Sequence, residues 1–270
     1  MRRGLRFILA PDDRPRARTY LRCMTSPTAN PTDLAIETRG LGKRFGDRAA
    51  LVDIGLEVPR GVAYGFLGAN GAGKTTLIRL LLGLAEPTAG SMRVLGHDVR
   101  TDRAAALARV GAIIEEPRFH RHLSGRENLH VNAAARDRSA HGRVDAALER
   151  VGLQDEADRA PHQLSAWQRR RAAVAGVLAM EPDVLILDEP SSAMDPAARR
   201  ELADVLVSLR ITTLVVTHDL PYALELCPRA VVLDRGVVVA DGATREVLSD
   251  EGFMRAHRLE LPAGFNPLSA

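Results

Sequence analysis

Lysine is almost missing from this 270-residue chain: the 37 Lys and Arg residues include only two lysines, Lys43 and Lys74. Cysteine is as scarce, with Cys23 and Cys227 alone. That excludes a disulfide framework or a cysteine-rich zinc site and points to a reducing cytoplasm. Aromatics make up 4% of the residues, so the core must be built mostly from Leu, Val, Ile and Ala. No apolar run approaches the ~20 residues of a membrane-spanning helix, because the longest are cut by Arg79, Glu181 or Asp188. Hydrophobic residues at 46% still supply a substantial core, and 26% charged residues is an ordinary globular share.

Basic charge is scarce once the first residues are set aside. Residues 1–23 carry a net +5 against +3 for the whole chain, so the remainder is −2. The high sequence pI of 9.2 therefore comes from the leading segment. The main body has no electrostatic footprint for nucleic acid, and no nucleic-acid partner is expected.

Residues 1–34 read as a poorly structured leader rich in Arg and Pro. A signal peptide needs ~7–15 apolar residues, and Leu5–Ala10 is too short and is interrupted by Arg6. Met24 is expected to be the true start; the alternative is a flexible basic tail touching anionic lipid. From Leu34 the pattern becomes globular, and the body is expected to run over 35–250, with 251–270 as a C-terminal tail. Leu34–Thr38 and Ala50–Val58 alternate as strands do, and Gly61–Leu67 is an apolar run entering a glycine-rich turn. Helical spacing covers Lys74–Leu84 and Ala197–Leu209, and an inserted helical region is expected over about 118–168. Val184–Leu187, Thr213–Thr217 and Ala230–Leu233 read as buried strands. Strands of this kind alternating with helices indicate a parallel sheet covered on both faces.

Gly68-Ala69-Asn70-Gly71-Ala72-Gly73-Lys74-Thr75-Thr76 follows an apolar strand and opens a helix. This is the P-loop pattern in its required context. Its glycines let backbone N–H groups turn onto phosphate oxygens, and the helix N-terminus adds partial positive charge. Lys74 would reach the β- and γ-phosphates and the Thr75 hydroxyl would ligate Mg2+. With two lysines in the chain, composition alone gives this pattern about once in a thousand such sequences.

Val184–Leu187 ends in the acidic pair Asp188-Glu189. Buried carboxylates need a partner, so Asp188 is expected to hold Mg2+ and Glu189 to act as general base on the attacking water. Thr213–Thr217 ends in His218, where a parallel sheet delivers its ligand-facing ends; a γ-phosphate contact is expected there.

Together these three elements resemble the ATP-binding cassette (ABC) ATPases of transporters. The resemblance implies an α/β fold: a P-loop NTPase with a mostly parallel sheet core, an antiparallel N-terminal β-subdomain and an inserted helical subdomain. It implies hydrolysis of ATP to ADP and phosphate with Mg2+. It also implies a head-to-tail homo- or hetero-dimer, a separately encoded transmembrane permease, and a peripheral place on the cytoplasmic face of the membrane. Phe45 matches the aromatic on which the family stacks adenine. Glu115 stands where the family usually has Gln, near Mg2+ and the membrane partner. Asp195 belongs to the loop that faces the partner cassette. Leu164-Ser165-Ala166-Trp167-Gln168 occupies the place of the signature, usually Leu-Ser-Gly-Gly-Gln, that meets the partner's ATP. Ser165 and Gln168 have capping-box spacing, but both glycines are replaced. An indole at the dimer seam is expected to slow hydrolysis.

Residues ~38–130 resemble drug exporters of the bacitracin and lantibiotic type. Residues ~162–262 resemble ATPases of cobalt and energy-coupling-factor importers. Drug or antibiotic export is the preferred expectation because the Glu115 region docks the membrane subunit; metal or vitamin import is the alternative. A weakly hydrolytic nucleotide-binding regulator is a further reading, carried by Trp167. A soluble cassette acting on ribosomes or DNA is disfavoured, since neither a second cassette nor a long coiled-coil insertion is present.

Overall fold

The computed structural model describes residues 6–7, 34–114, 117–136, 138–192, 194–262 and 265–266. Glu115, Met24 and the leader other than residues 6–7 lie outside the described residues. The chain divides into two compact units, one of residues 1–108 with 214–270 and one of residues 109–213.

The first unit opens with a two-residue strand, β1 (Arg6–Phe7), and two long ones, β2 (Leu34–Phe45) and β3 (Arg48–Pro59). Alternating apolar residues put Ile36, Leu41, Ile54, Leu56 and Val58 inside. The register pairs Ile36 with Val58, Thr38 with Leu56 and Leu41 with Ile54. β4 (Ala63–Leu67) leads into the glycine-rich loop and α1 (Lys74–Leu81). The helical spacing runs on to Leu84, but the chain turns out at Gly83, whose φ of 61° is left-handed. β5 (Ala89–Val94) and β6 (His97–Asp98) complete the antiparallel sheet β3-β2-β5-β6, the N-terminal β-subdomain read from the sequence. α2 (Arg103–Leu107) closes this stretch.

In the second unit β7 (Val110–Ile113) and β8 (Val184–Asp188) pair in parallel, Val110 with Val184 through Ile113 with Leu187. Every residue of β8 is buried, as its unbroken apolar run predicts. Between them come α3 (Gly125–Arg136), α4 (Val144–Arg150) and α5 (Ala166–Leu178), with 3-10 turns at Arg138–Arg143 and Pro161–Gln163. α3, α4 and both 3-10 turns lie within residues 118–168, and α5 begins at 166 and runs on to 178. α6 (Pro196–Ser208) follows, and the boundary with the first unit falls within β9 (Thr212–Thr217).

Back in the first unit are α7 (Leu220–Leu226), β10 (Arg229–Asp234), β11 (Val237–Ala243), α8 (Thr244–Ser249) and α9 (Glu251–Ala256). β10 runs parallel to β4 and antiparallel to β11, and β11 also carries β1, with Arg6 opposite Asp241. Two stretches outside residues 35–250 carry structure. Residues 6–7 form β1. In the 251–270 stretch, Phe253, Met254 and Leu259 are buried in one cluster with Leu67, Leu220 and Val232. A helix of six residues is too short to display its period, so only the packing identifies it.

Candidate functional site

The loop between β4 and α1 is shaped by glycines that cannot be replaced without moving backbone. Gly68 has φ 156° and a Cβ there would lie 2.4 Å from the Leu233 carbonyl oxygen. Gly73, the N-cap of α1, has φ 113°, and its Cβ would lie 2.7 Å from the Ala50 oxygen. The loop is backed by the β10–β11 turn, where Gly236 N–H donates to Ala72 O at 2.9 Å and Gly236 O accepts from Val52 N–H at 2.7 Å. Lys74 is 7% exposed. Its Nζ folds back over the loop and donates to the Gly68 oxygen at 2.7 Å and the Ala69 oxygen at 3.3 Å. Asn70, Gly71 and Thr75 are exposed, Ala72 is buried and Thr76 half-buried. The result is a ring of main chain capped by one ammonium at the N-terminus of an eight-residue helix, an arrangement chemically suited to phosphate.

His218 follows β9 on the exposed side, held between two anchors. Thr217 Oγ1 accepts from Asp219 N–H at 3.0 Å, and Asp219 caps α7 by accepting from Tyr222 N–H at 3.2 Å. Phe45, at the end of β2, is 55% exposed instead of packed on the sheet. Lys43 Nζ sits 4.9 Å from its ring centroid and donates to the Glu86 oxygen at 2.7 Å, fixing the ring from one side.

In the second unit Asp188 closes β8 and is buried. Glu189, half-buried, takes φ 46°, a left-handed conformation that is costly for a residue with a Cβ. Its carbonyl oxygen is pinned by Ser192 N–H at 3.1 Å and by Arg170 Nη2 at 3.2 Å. Buried Arg170 lies on α5, so the helix that begins at Ser165 also grips the main chain of the acidic pair. Both capping-box bonds are present: Ser165 Oγ accepts from Gln168 N–H at 3.2 Å, and Gln168 Oε1 accepts from Ser165 N–H at 2.9 Å. Ser165 and Ala166 are exposed, Trp167 and Gln168 half-buried. Asp195 is exposed and caps α6, its Oδ1 accepting from Ala197 and Ala198 N–H, both at 2.9 Å.

Glu115 falls outside the described residues. A cavity of about 400 Å3 in the second unit is lined among others by Ile114, Pro117, Phe119, Leu129, Ala173 and Met180. The Thr75 hydroxyl in the first unit and the Asp188 carboxylate in the second are each hard oxygen donors of the kind Mg2+ takes. Among the described residues there is no cluster of three or more His, Cys, Asp or Glu. Sequence reading missed Arg170 and Gly236. Each acts through main chain remote in sequence, and neither lies in a pattern that local periodicity could expose.

The ABC transporter family matches residues 51–192. An ABC transporter ATP-binding protein of Streptomyces avermitilis is 47% identical over 253 residues, covering 90% of this chain and 97% of its own. A daunorubicin resistance ATP-binding protein of Streptomyces coeruleorubidus is 40% identical over 82% of this chain and 72% of its own. A bacitracin transport ATP-binding protein of Bacillus licheniformis is 35% identical over 76% and 69%. Among solved structures, cbiO1 of Clostridium perfringens, part of the ABC transporter complex cbiONQ, superposes with a TM-score of 0.75. It is 30% identical, over 85% of this chain and 96% of that one. The glycine-shaped phosphate loop thus stands inside a match that spans most of the chain: this protein belongs to the ABC transporter family, as an ATP-binding-cassette ATPase.

Proposed function

We propose that this ATPase drives export of a drug or antibiotic through a separately encoded membrane permease, two cassettes closing head to tail on two ATP molecules. The observation that carries the nucleotide reading is the loop 68–76, with its left-handed glycines and the Lys74 ammonium folded over its carbonyls. Phe45 stacks on adenine with its exposed face, residues 68–76 hold the phosphates, and Lys74 moves from the loop carbonyls onto the β- and γ-phosphate oxygens. Thr75, Asp188 and Glu115 would hold Mg2+, and the bound ion would neutralise phosphate charge. Glu189 takes the proton of the attacking water and His218 contacts the γ-phosphate. Ser165, Ala166, Trp167 and Gln168 at the N-terminus of α5 meet the second cassette's ATP, and Asp195 faces that cassette. On this reading the cavity lined by Ile114, Pro117 and Phe119 receives the permease, and the protein works at the cytoplasmic face of the membrane.

Export is favoured by the similarity to the daunorubicin resistance and bacitracin transport proteins. An importer of a metal or vitamin is the second reading, favoured by the similarity to cbiO1. The test of the ATPase reading is Glu189→Gln, nearly isosteric but unable to accept the proton. Turnover should fall ~10²–10⁴-fold while Mg-ATP binding persists, and the variant should elute as an ATP-dependent dimer in size exclusion. A monomer with normal turnover overturns it.

A further inference from the structure

Trp167 brings an indole to the first turn of α5, where the side chain either obstructs an approaching phosphate or is held out of its way. The structure shows what holds it. One turn further along α5, the Arg171 guanidinium carbon lies 4.8 Å from the centroid of the Trp167 ring. Arg171 is itself wedged in place and only 8% exposed. Nη1 donates to Glu201 Oε2 on α6 at 3.0 Å, with the arginine side chain 10% exposed. On another side, a Cβ added at Gly152, just past α4, would come within 2.8 Å of Nη2. Nε makes no hydrogen bond among the described residues. The Glu201 carboxylate and the indole face touch the guanidinium directly and, with the charge of Glu156, offset its burial. Burial by itself pulls the Arg171 pKa down, against the pull of Glu201 and Glu156, and a guanidinium remains charged through such a shift.

A stack of this kind fixes the indole's direction, because a planar cation over a ring is lost when χ1 changes. Ser165 and Ala166, the two residues before it, stay exposed. We propose that Arg171 is a positioning residue of the ATPase: it holds the Trp167 indole along α5 and so keeps the helix N-terminus open to the second cassette's ATP. The altered signature then works as it stands, contrary to the slow hydrolysis expected from the sequence. This rests on the head-to-tail reading above. Released from Arg171, the indole regains rotamers beside Ser165 and Ala166 and blocks the seam.

The test is a double-mutant cycle on the full-length chain, with turnover at saturating Mg-ATP as the readout. Arg171→Gln should lower kcat about tenfold when Trp167 is present, and the same substitution should change it by less than about twofold in a Trp167→Ala background. A residue that only braced Glu201 and the end of α4 would cost the same factor in both backgrounds, and that result overturns the proposal, as does no effect in either. Trp167 is the only tryptophan of the chain, so its emission reads the stack directly. Arg171→Gln should shift the emission to the red, and an unchanged spectrum also counts against the stack. Should Arg171→Gln fail to fold, Arg171→Lys keeps the charge without the planar face and carries the same comparison. Ser165→Arg separates the two levels: if it leaves turnover intact, the signature does not meet ATP and the underlying dimer reading fails, taking the proposal with it.

Discussion

Lys74 shows how one residue can be legible in sequence and still be completed by structure. The motif marks it as the proposed phosphate lysine, but only the fold shows its ammonium resting on the Gly68 and Ala69 carbonyls. Charge-assisted hydrogen bonds of this type are worth roughly 1.5–3 kcal/mol. Lys74→Ala should therefore weaken Mg-ATP binding by about 10- to 100-fold in a protein that still folds. Calorimetry giving wild-type affinity would refute the assignment. Glu189 is the opposite case. The Asp-Glu pair was plain in the sequence, whereas its left-handed φ of 46° was not, because no propensity places a glutamate there. Strain of this kind costs of order 1–3 kcal/mol and persists because Ser192 and Arg170 hold the carbonyl.

At the scale of elements, caps and pairings decide. The family resemblance turns Asp195 toward a partner cassette, and within the chain it satisfies two N–H groups at the start of α6. Asp195→Ala should lower stability by about 1 kcal/mol, read from the midpoint of chemical denaturation. Asp195→Asn keeps an acceptor and should stay near wild type in the same measurement. If Asn restores stability without restoring turnover, the carboxylate has a second task beyond the cap. α9 is tied down differently. Asp234, at the end of β10, is 9% exposed. Its Oδ2 lies 3.0 Å from His257 Nδ1, and its Oδ1 accepts from Arg258 Nη2 at 3.3 Å. Burial alone would raise the Asp234 pKa, but the hydrogen bonds from His257 and Arg258, with the nearby charges of His257 and Arg235, outweigh it and bring it below the ordinary 3.8. A depressed carboxylate stabilises the fold above its unfolded pKa, and the contribution disappears as pH falls through the lowered value. The stability gap between wild type and Asp234→Asn should thus be full near neutrality and shrink on acidification below the ordinary aspartate range. A gap that stays constant with pH would show that packing, not charge, anchors α9.

For the whole molecule, the direction of the proposed transport is open to a cellular measurement. On the export reading, a strain lacking the gene should retain more of a drug probe than its parent, with daunorubicin as the first probe to try. Unchanged retention, together with growth that depends on added metal or vitamin, would favour the importer reading instead. The glycine-rich loop with its lysine, the acidic pair, the buried strands and the family are all legible in the linear chain. Each of these is written in consecutive residues, as glycine spacing around a lysine or as apolar runs with a fixed period. The remaining contacts arise on folding. Folding brings Gly236 behind Ala72, Arg170 to the carbonyl of Glu189, Arg171 between Trp167 and Glu201, and Phe253 and Met254 into the core. Except for the i, i+4 stack of Trp167 and Arg171, these contacts join residues far apart in the chain. Their strength comes from burial and from the direction of single side chains, neither of which exists before the chain has folded.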